Sequence, residues 1–188
     1  MELMDAIRGR RSIRVFDGAP VEDAVIDELV EAATYAPSRM NMQPWYFHVA
    51  TGPARARVAE VMGMSTAHLT EYLDILGPEG VERAARFYAD LGNAPVVVGI
   101  AAPDTDDVYE ARDIAISVGA AMQNFLLAVA GHGLGACSIS VPYWISDQLA
   151  TVFEMAEGWS IMSMIVLGHP AEEPGARERI TDVVSHLR

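Results

Sequence analysis

The chain contains no lysine: all 13 of its basic side chains are arginines, set against 26 acidic ones. The absence of an ε-amine excludes a lysine Schiff base, and with it pyridoxal phosphate chemistry, as well as a P-loop lysine. The formal net charge of −13 argues against a general nucleic-acid binder, because such a protein needs a broad cationic face. The composition therefore favours a small-molecule ligand and no nucleic-acid partner.

Cysteine is nearly as scarce as lysine. The single residue, Cys137, excludes an internal disulfide and a cysteine-rich zinc site. The 5 histidines lie far apart along the chain, so no metal site is predicted. The N-terminal segment has no apolar signal core, and the longest apolar stretch, about residues 114–130, is too short and too interrupted for a membrane span. We therefore expect a cytoplasmic protein without a membrane partner.

The 188 residues, 51% of them apolar, have the size of one globular domain. A continuous apolar run at residues 96–102, flanked by prolines, predicts a central strand covered on both faces. Helices are predicted near residues 2–8, 21–35, 53–62, 66–76, 79–91, 107–131 and 146–155, and further strands at 45–51, 134–141 and 160–168. The order of these elements predicts a single α+β domain over residues 1–188, with a central mixed sheet flanked by helices.

The longest predicted helix, residues 107–131, is apolar on nearly all sides. Such a helix must be buried by more than one neighbour, and its small residues would let another helix approach closely, which favours a subunit interface. The stretch GHGLGA that follows matches the glycine-rich dinucleotide fingerprint as a string. It comes after a helix and before a strand, the reverse of the required order, so we interpret it as a helix C-cap at Gly131 or Gly133.

A cluster of basic residues lies near the N-terminus. Its members, with one serine among them, are Arg8, Arg10, Arg11, Ser12 and Arg14. Arginines this close repel one another unless an anion lies against them, and the guanidinium fork suits phosphate oxygens. The cluster therefore favours a phosphate monoester site. The alternative is a solvated surface cluster, neutralised by Asp5 and Asp17 or left as a basic patch.

A second polar segment, APSRMNMQPW, separates the predicted helix 21–35 from an aromatic strand. Its hydrogen-bonding side chains are those of Ser38, Arg39, Asn41 and Gln43. A neutral amide offers both a donor and an acceptor, so these side chains could bind the edge of a heterocycle. The structural alternative is a turn that leads into an edge strand.

Taken together, these segments resemble the nitroreductase family of FMN-dependent flavoproteins. The similarity covers nearly the whole chain, with motifs in the family's order: RRSIRVF, APSRMNMQPW, APVVVGIAA, ARDIAISVGAAMQNFLLAVAGHGLGACSI and VLGHPAEEPGARERITDVV. The resemblance implies a nitroreductase-like fold and an intertwined homodimer with FMN sites in its interface. It also implies a ping-pong reaction in which NADH or NADPH is oxidised and a nitroaromatic, quinone or similar acceptor is reduced.

The resemblance also implies which residues bind FMN. The first motif would hold the phosphate and ribityl chain through Arg10, Arg11, Ser12 and Arg14. The loop motif would place Ser38, Arg39, Asn41 and Gln43 near the flavin, partly from the other subunit. Arg177 would be a further phosphate ligand, with Arg179 a weaker candidate because the family often has proline there. Ile139 and Ser140 stand where the family directs a backbone amide at flavin N5, without the glycine that is frequent there.

The segment of about residues 63–92 corresponds to the variable helices over the flavin. Its aromatic residues Tyr72, Phe87 and Tyr88 would either contact a substrate or belong to ordinary surface helices. Two alternatives to nitroreductase activity remain open. One is a specialised flavin reaction in the same fold, such as dehalogenation, dehydrogenation or flavin cleavage, and the other is a non-catalytic flavin-binding or storage protein. No residue is predicted to be catalytic, because the redox chemistry would belong to the cofactor.

Overall fold

The computed structural model describes residues 2–141, 143–176 and 178–187. Its helices are α1 (Leu3–Gly9), α2 (Asp23–Thr34), α3 (Gly52–Met64), α4 (Leu73–Asp90), α5 (Val108–Gly131) and α6 (Ser146–Val152). Its strands are β1 (Tyr46–Thr51), β2 (Val96–Pro103), β3 (Gly135–Ile139) and β4 (Trp159–Gly168). Short 3₁₀ helices occupy Arg39–Asn41, Ser65–Tyr72, Leu91–Asn93 and Tyr143–Ile145. The α+β class expected from the sequence is confirmed.

The four strands form one sheet in the order β1-β2-β4-β3, and each neighbouring pair is antiparallel. The expectation of a mixed sheet is therefore wrong for these strands, since the parallel pairing in the described residues is the isolated bridge between Ser12 and Ala136. The continuous apolar run of β2 indicated burial on both faces, which is typical of parallel sheets. Here helices cover both faces of an antiparallel sheet, so burial did not determine strand direction.

The core consists of two layers, one on each face of the sheet. Side chains of β2 alternate between them: Val97 packs with α3 and α6, whereas Val98 and Ile100 pack with α2 and α5. α2 buries Ile26 and Leu29 in the second layer, as its helical spacing predicts. β2 lies in the interior of the sheet and β1 at its edge, which confirms both expectations for these strands.

The arginine arm, residues 10–17, is fixed by backbone hydrogen bonds alongside the sheet. The Ile13 N–H donates to the Ala136 carbonyl of β3 at 2.9 Å, and the Val15 carbonyl accepts from Ala171 at 2.9 Å. The side chains of Ile13 and Phe16 are buried and anchor the arm. The arm therefore lies between the β3 edge and the segment that follows β4.

Two local features differ in how well the sequence predicted them. α5 ends at Gly131, and Gly133 has a left-handed φ of 72°, which confirms the C-cap interpretation of GHGLGA. The predicted helix 66–76 is instead a 3₁₀ segment, Ser65–Tyr72, followed by the first turn of α4. The break implied between the predicted helices 66–76 and 79–91 is present, since Gly77 has a non-helical φ of 67° inside α4.

We expect the buried face of β2 to dominate stability. Ile100 is 0% exposed and Ile75 is 79% exposed, so the same substitution can be compared at both positions. Ile100→Ala should lower the free energy of unfolding by about 2–5 kcal/mol because it leaves a cavity, and Ile75→Ala should change it by less than about 0.5 kcal/mol. Urea unfolding followed by circular dichroism measures both, and equal losses would contradict the assigned core.

Candidate functional site

The side chains of the arginine arm are available to an external anion. An Nη1 atom of Arg11 donates to the carbonyl oxygens of Arg8 at 2.6 Å and Arg10 at 3.0 Å, and Arg14 Nη1 lies 3.4 Å from the Ser12 carbonyl. Across the described part of the chain, no carboxylate forms an ion pair with any of these arginines. Asp5 and Asp17 therefore do not neutralise the cluster by direct contact.

A buried thiol lies beneath the same residues. Burial raises the pKa of Cys137, while the positive charge of Arg14, a hydrogen bond with Ser12 and the charge of Arg10 oppose that rise. Cys137 of β3 therefore lies within electrostatic range of Arg10 and Arg14. The thiol itself stays protonated and inert, because a raised pKa disfavours the reactive thiolate.

A cavity of about 370 Å³ opens beside the arm. Its charged lining residues are Arg10, Arg11, Glu172 and Glu173, and its apolar ones include Ile13, Leu126, Val129 and Ala130. The cavity lies between the arm, the C-terminal end of α5 and the segment after β4. It offers an apolar floor with a charged rim, an arrangement suited to an amphipathic ligand.

Glu172 is a neighbour that the sequence did not single out. Its carboxylate accepts a hydrogen bond from the backbone N–H of Arg14, which fixes the arm from the side of the post-β4 segment. The two residues are 158 positions apart. The sequence carried no periodic signal for this contact beyond the occurrence of Glu172 in the last of the family motifs.

The loop of residues 38–43 is preformed by its own hydrogen bonds. Ser38 Oγ accepts from the Gln43 N–H at 2.9 Å, and Gln43 Nε2 lies 3.3 Å from Asn41 Oδ1. Met40, Asn41 and Gln43 all have left-handed backbone, with φ of 49°, 58° and 49°. Met40 is 84% exposed, so the loop presents its tip to the outside of this chain.

Arg39 anchors this loop to the N-terminal half of α5. Its Nε lies 3.2 Å from Asp113 Oδ2. The arginine arm instead lines a cavity together with Val129, at the far end of the helix. At a rise of 1.5 Å per residue, Asp113 and Val129 are roughly 24 Å apart along the axis. One chain therefore does not bring the arm and the loop together.

The remaining predicted residues lie in three different settings. Ile139 is 4% exposed at the end of β3, and its carbonyl accepts from Ser163 Oγ at 3.2 Å, so its side chain faces the core. Ser140 follows it and is exposed. Arg179 is exposed in a tail without regular structure, and Arg177 lies outside the described residues.

The aromatic residues of the variable segment separate into core and site neighbours. Phe87 is 9% exposed and packs in the hydrophobic core, which makes its role structural. Burial raises the pKa of Tyr88, the nearby Cys137 adds to the rise, and Arg14 opposes it. Tyr88 therefore lies close to the arm, and Tyr72 is close enough to affect the same phenol.

Comparison with known proteins identifies the family. A sequence model described as "Nitroreductase family" matches residues 7–169. The chain belongs to the nitroreductase family, which confirms the resemblance carried by the sequence motifs.

Curated relatives match over most of their own length. Nitroreductase NfnB of Mycolicibacterium smegmatis is 34% identical over 175 residues, covering 76% of this chain and 72% of the relative. Nitrobenzene nitroreductase of Ectopseudomonas oleovorans is 30% identical over 210 residues, covering 85% of this chain and 87% of the relative.

Solved structures share the fold. A BluB-like flavoprotein from Clostridium difficile 630 superposes with a TM-score of 0.80 at 24% identity, covering 100% of both chains. The FMN-dependent nitroreductase NfnB from Mycobacterium smegmatis, solved in complex with NADPH, gives a TM-score of 0.80 at 22% identity over 98% of this chain and 97% of that one. The fold is therefore nitroreductase-like, as predicted.

Proposed function

We propose that the protein is an FMN-dependent oxidoreductase that takes electrons from NADH or NADPH and reduces nitroaromatic, quinone or similar acceptors. The observation that carries the proposal is the arginine arm, whose Arg10 and Arg11 line a cavity with an apolar floor and a charged rim. Membership of the nitroreductase family and relatives named as nitroreductases support the same activity. We assign this activity to the cytoplasm, where the nicotinamide donors are found.

The residues present fit FMN by the chemistry of their donors. Arg10, Arg11 and Arg14 offer charge-assisted hydrogen bonds to a phosphate monoester, with the Ser12 hydroxyl beside them. Arg179, and Arg177 outside the described residues, would add cations from the tail. When bound, FMN supplies the two-electron exchange between nicotinamide and acceptor.

The other predicted residues would orient the ring of the cofactor. The amides of Asn41 and Gln43 would hydrogen bond its heteroatom edge, while Ser38 and Arg39 keep the loop in shape and attached to α5. Because Ile139 is buried, its contribution at the end of β3 would come from backbone groups, with the exposed Ser140 next to it. The protein's own part in the reaction is to bind, orient and exclude water.

The functional unit that we propose is a homodimer with two shared sites. Within one chain only 39% of the most apolar window of α5 is buried, and Ile116 in that helix is 65% exposed. A second copy of the helix would cover this surface, and antiparallel packing would bring the loop of one chain, near Asp113, towards the arm of the other, near Val129. The separation of arm and loop along α5 is thus what a shared site requires.

Removing one arginine from the arm should weaken FMN binding. Arg10→Ala deletes a charge-assisted contact and should raise the Kd for FMN about tenfold or more. Arg57→Ala is the matched control. It removes the same charge from an exposed position on α3, away from the cavity. Fluorescence titration of the apoprotein measures both, and equal affinity in the two variants would contradict a phosphate site at the arm.

The FMN-loaded protein should oxidise NADH or NADPH and reduce a nitroaromatic acceptor by ping-pong kinetics. Parallel lines in double-reciprocal plots are the expected pattern, because one site serves both substrates in turn. For Arg10→Ala, the rate at limiting FMN should fall about tenfold and recover at saturating FMN. A protein that binds FMN with no turnover for either nicotinamide would be a flavin store, and the oxidoreductase proposal would be wrong.

Mixed dimers can test the sharing of sites. A heterodimer of an Arg10→Ala chain with an Asn41→Ala chain should contain one doubly damaged site and one intact site. At an FMN concentration that neither parent homodimer binds, the heterodimer should bind one flavin and regain turnover. Heterodimers that are shown to form and yet bind no FMN would refute the shared arrangement. A protein that sediments as a monomer with FMN fully bound would refute it as well.

A further inference from the structure

The turn after α4 has an unusual backbone. Leu91, Gly92 and Asn93 are consecutive left-handed residues, with φ of 54°, 65° and 61°. This conformation is unfavourable for a bulky residue such as leucine, so the surroundings must enforce it. The Leu91 side chain is fully buried in the core, and Asp90 Oδ1 accepts a hydrogen bond from the Gly92 N–H at 2.9 Å.

Arg55 on α3 ties the two ends of this turn together. Its Nε donates to the Ala94 carbonyl at 2.7 Å, and an Nη atom donates to the Asp90 carbonyl. One planar guanidinium therefore spans the turn, which is a geometry that lysine cannot reproduce. Burial lowers the pKa of Arg55 and the charge of Asp90 opposes this, but an arginine remains protonated.

The opposite side of the turn carries the arginine arm. The Gly92 carbonyl accepts from the Phe16 N–H at 2.9 Å. The α-carbon of Gly92 packs so closely against Arg14 that a Cβ there would overlap the Arg14 carbonyl group. The backbone of Arg14 is thus enclosed between Gly92 on one side and Glu172, which accepts its N–H, on the other.

We propose that the turn of residues 90–94, held by Arg55, sets the position of Arg14 and thereby the preference of the site for phosphorylated flavin. The inference rests on the proposed FMN function. Arg55 is a positioning residue, because its guanidinium group contacts the turn while Gly92 contacts the arm. Binding groups are effective only when supporting contacts hold them in place, and this turn provides such support from outside the cavity.

A comparison of FMN with riboflavin isolates the effect. A displaced arm should weaken the binding of FMN, which carries the phosphate, and leave the binding of riboflavin unchanged. A general loss of structure should weaken the binding of both flavins alike. In Arg55→Ala the ratio of the riboflavin Kd to the FMN Kd should fall about fivefold or more relative to wild type. Arg57→Ala, which removes the same charge from the same helix, should leave the ratio unchanged, and Arg55→Lys should restore it in part.

Two further measurements guard against a variant that does not fold. Asp90 is exposed, and Asp90→Ala removes the carboxylate that accepts the hydrogen bond of the Gly92 N–H. This substitution should lower the same ratio of dissociation constants. In both variants the Phe16 amide should lose protection in hydrogen exchange, because its acceptor on Gly92 shifts. A wild-type protein that prefers FMN, together with unchanged ratios in Arg55→Ala and Asp90→Ala, would overturn the inference alone. A wild-type protein that does not prefer FMN to riboflavin would overturn the proposed function as well.

Discussion

The position of the arginine arm depends on backbone hydrogen bonds to three separate parts of the chain. Ile13 is bonded to β3, Val15 to the segment after β4, and Phe16 to the turn after α4. Buried backbone groups need partners, and these bonds supply them along a segment that belongs to no regular element of the sheet. The arm therefore presents its arginine side chains from a fixed backbone, which would reduce the entropy lost in the anion binding proposed above.

α5 distributes the rest of the candidate site. Its buried side joins the sheet and α2 through residues such as Phe125 and Val118, while its other side is apolar and open. The ion pair of Arg39 with Asp113 attaches the loop to one end of the helix, and the cavity beside the arm lies at the other. The arm and the loop of a single chain are therefore held at opposite ends of α5, and in the homodimer that we propose a second chain would bring an arm and a loop together.

The sequence was informative where a physical requirement acts on neighbouring residues. The apolar run of β2 between prolines and the glycine cap of α5 each leave a local pattern, and each appears in the structure as expected. The density of arginines near the N-terminus is a local pattern too, and the phosphate site that it predicts stays a prediction. Strand direction left no local pattern in the sequence, because helices on both faces bury parallel and antiparallel strands alike. Glu172 and Arg55 were missed for a related reason: each acts through one or two contacts with backbone far along the chain, and such isolated contacts produce no periodicity.

The contacts of the arm also constrain how the protein is made. Ile13 pairs with Ala136, Phe16 with Gly92 and Val15 with Ala171, so the arm is synthesised before all three of its partners. Contacts of such long sequence separation form late, because the entropy of closing the intervening loops must be overcome first. The arm thus cannot complete its backbone contacts on a growing chain until Ala171 has emerged from the ribosome. Until then, its arginines are solvated charges on an unfinished domain.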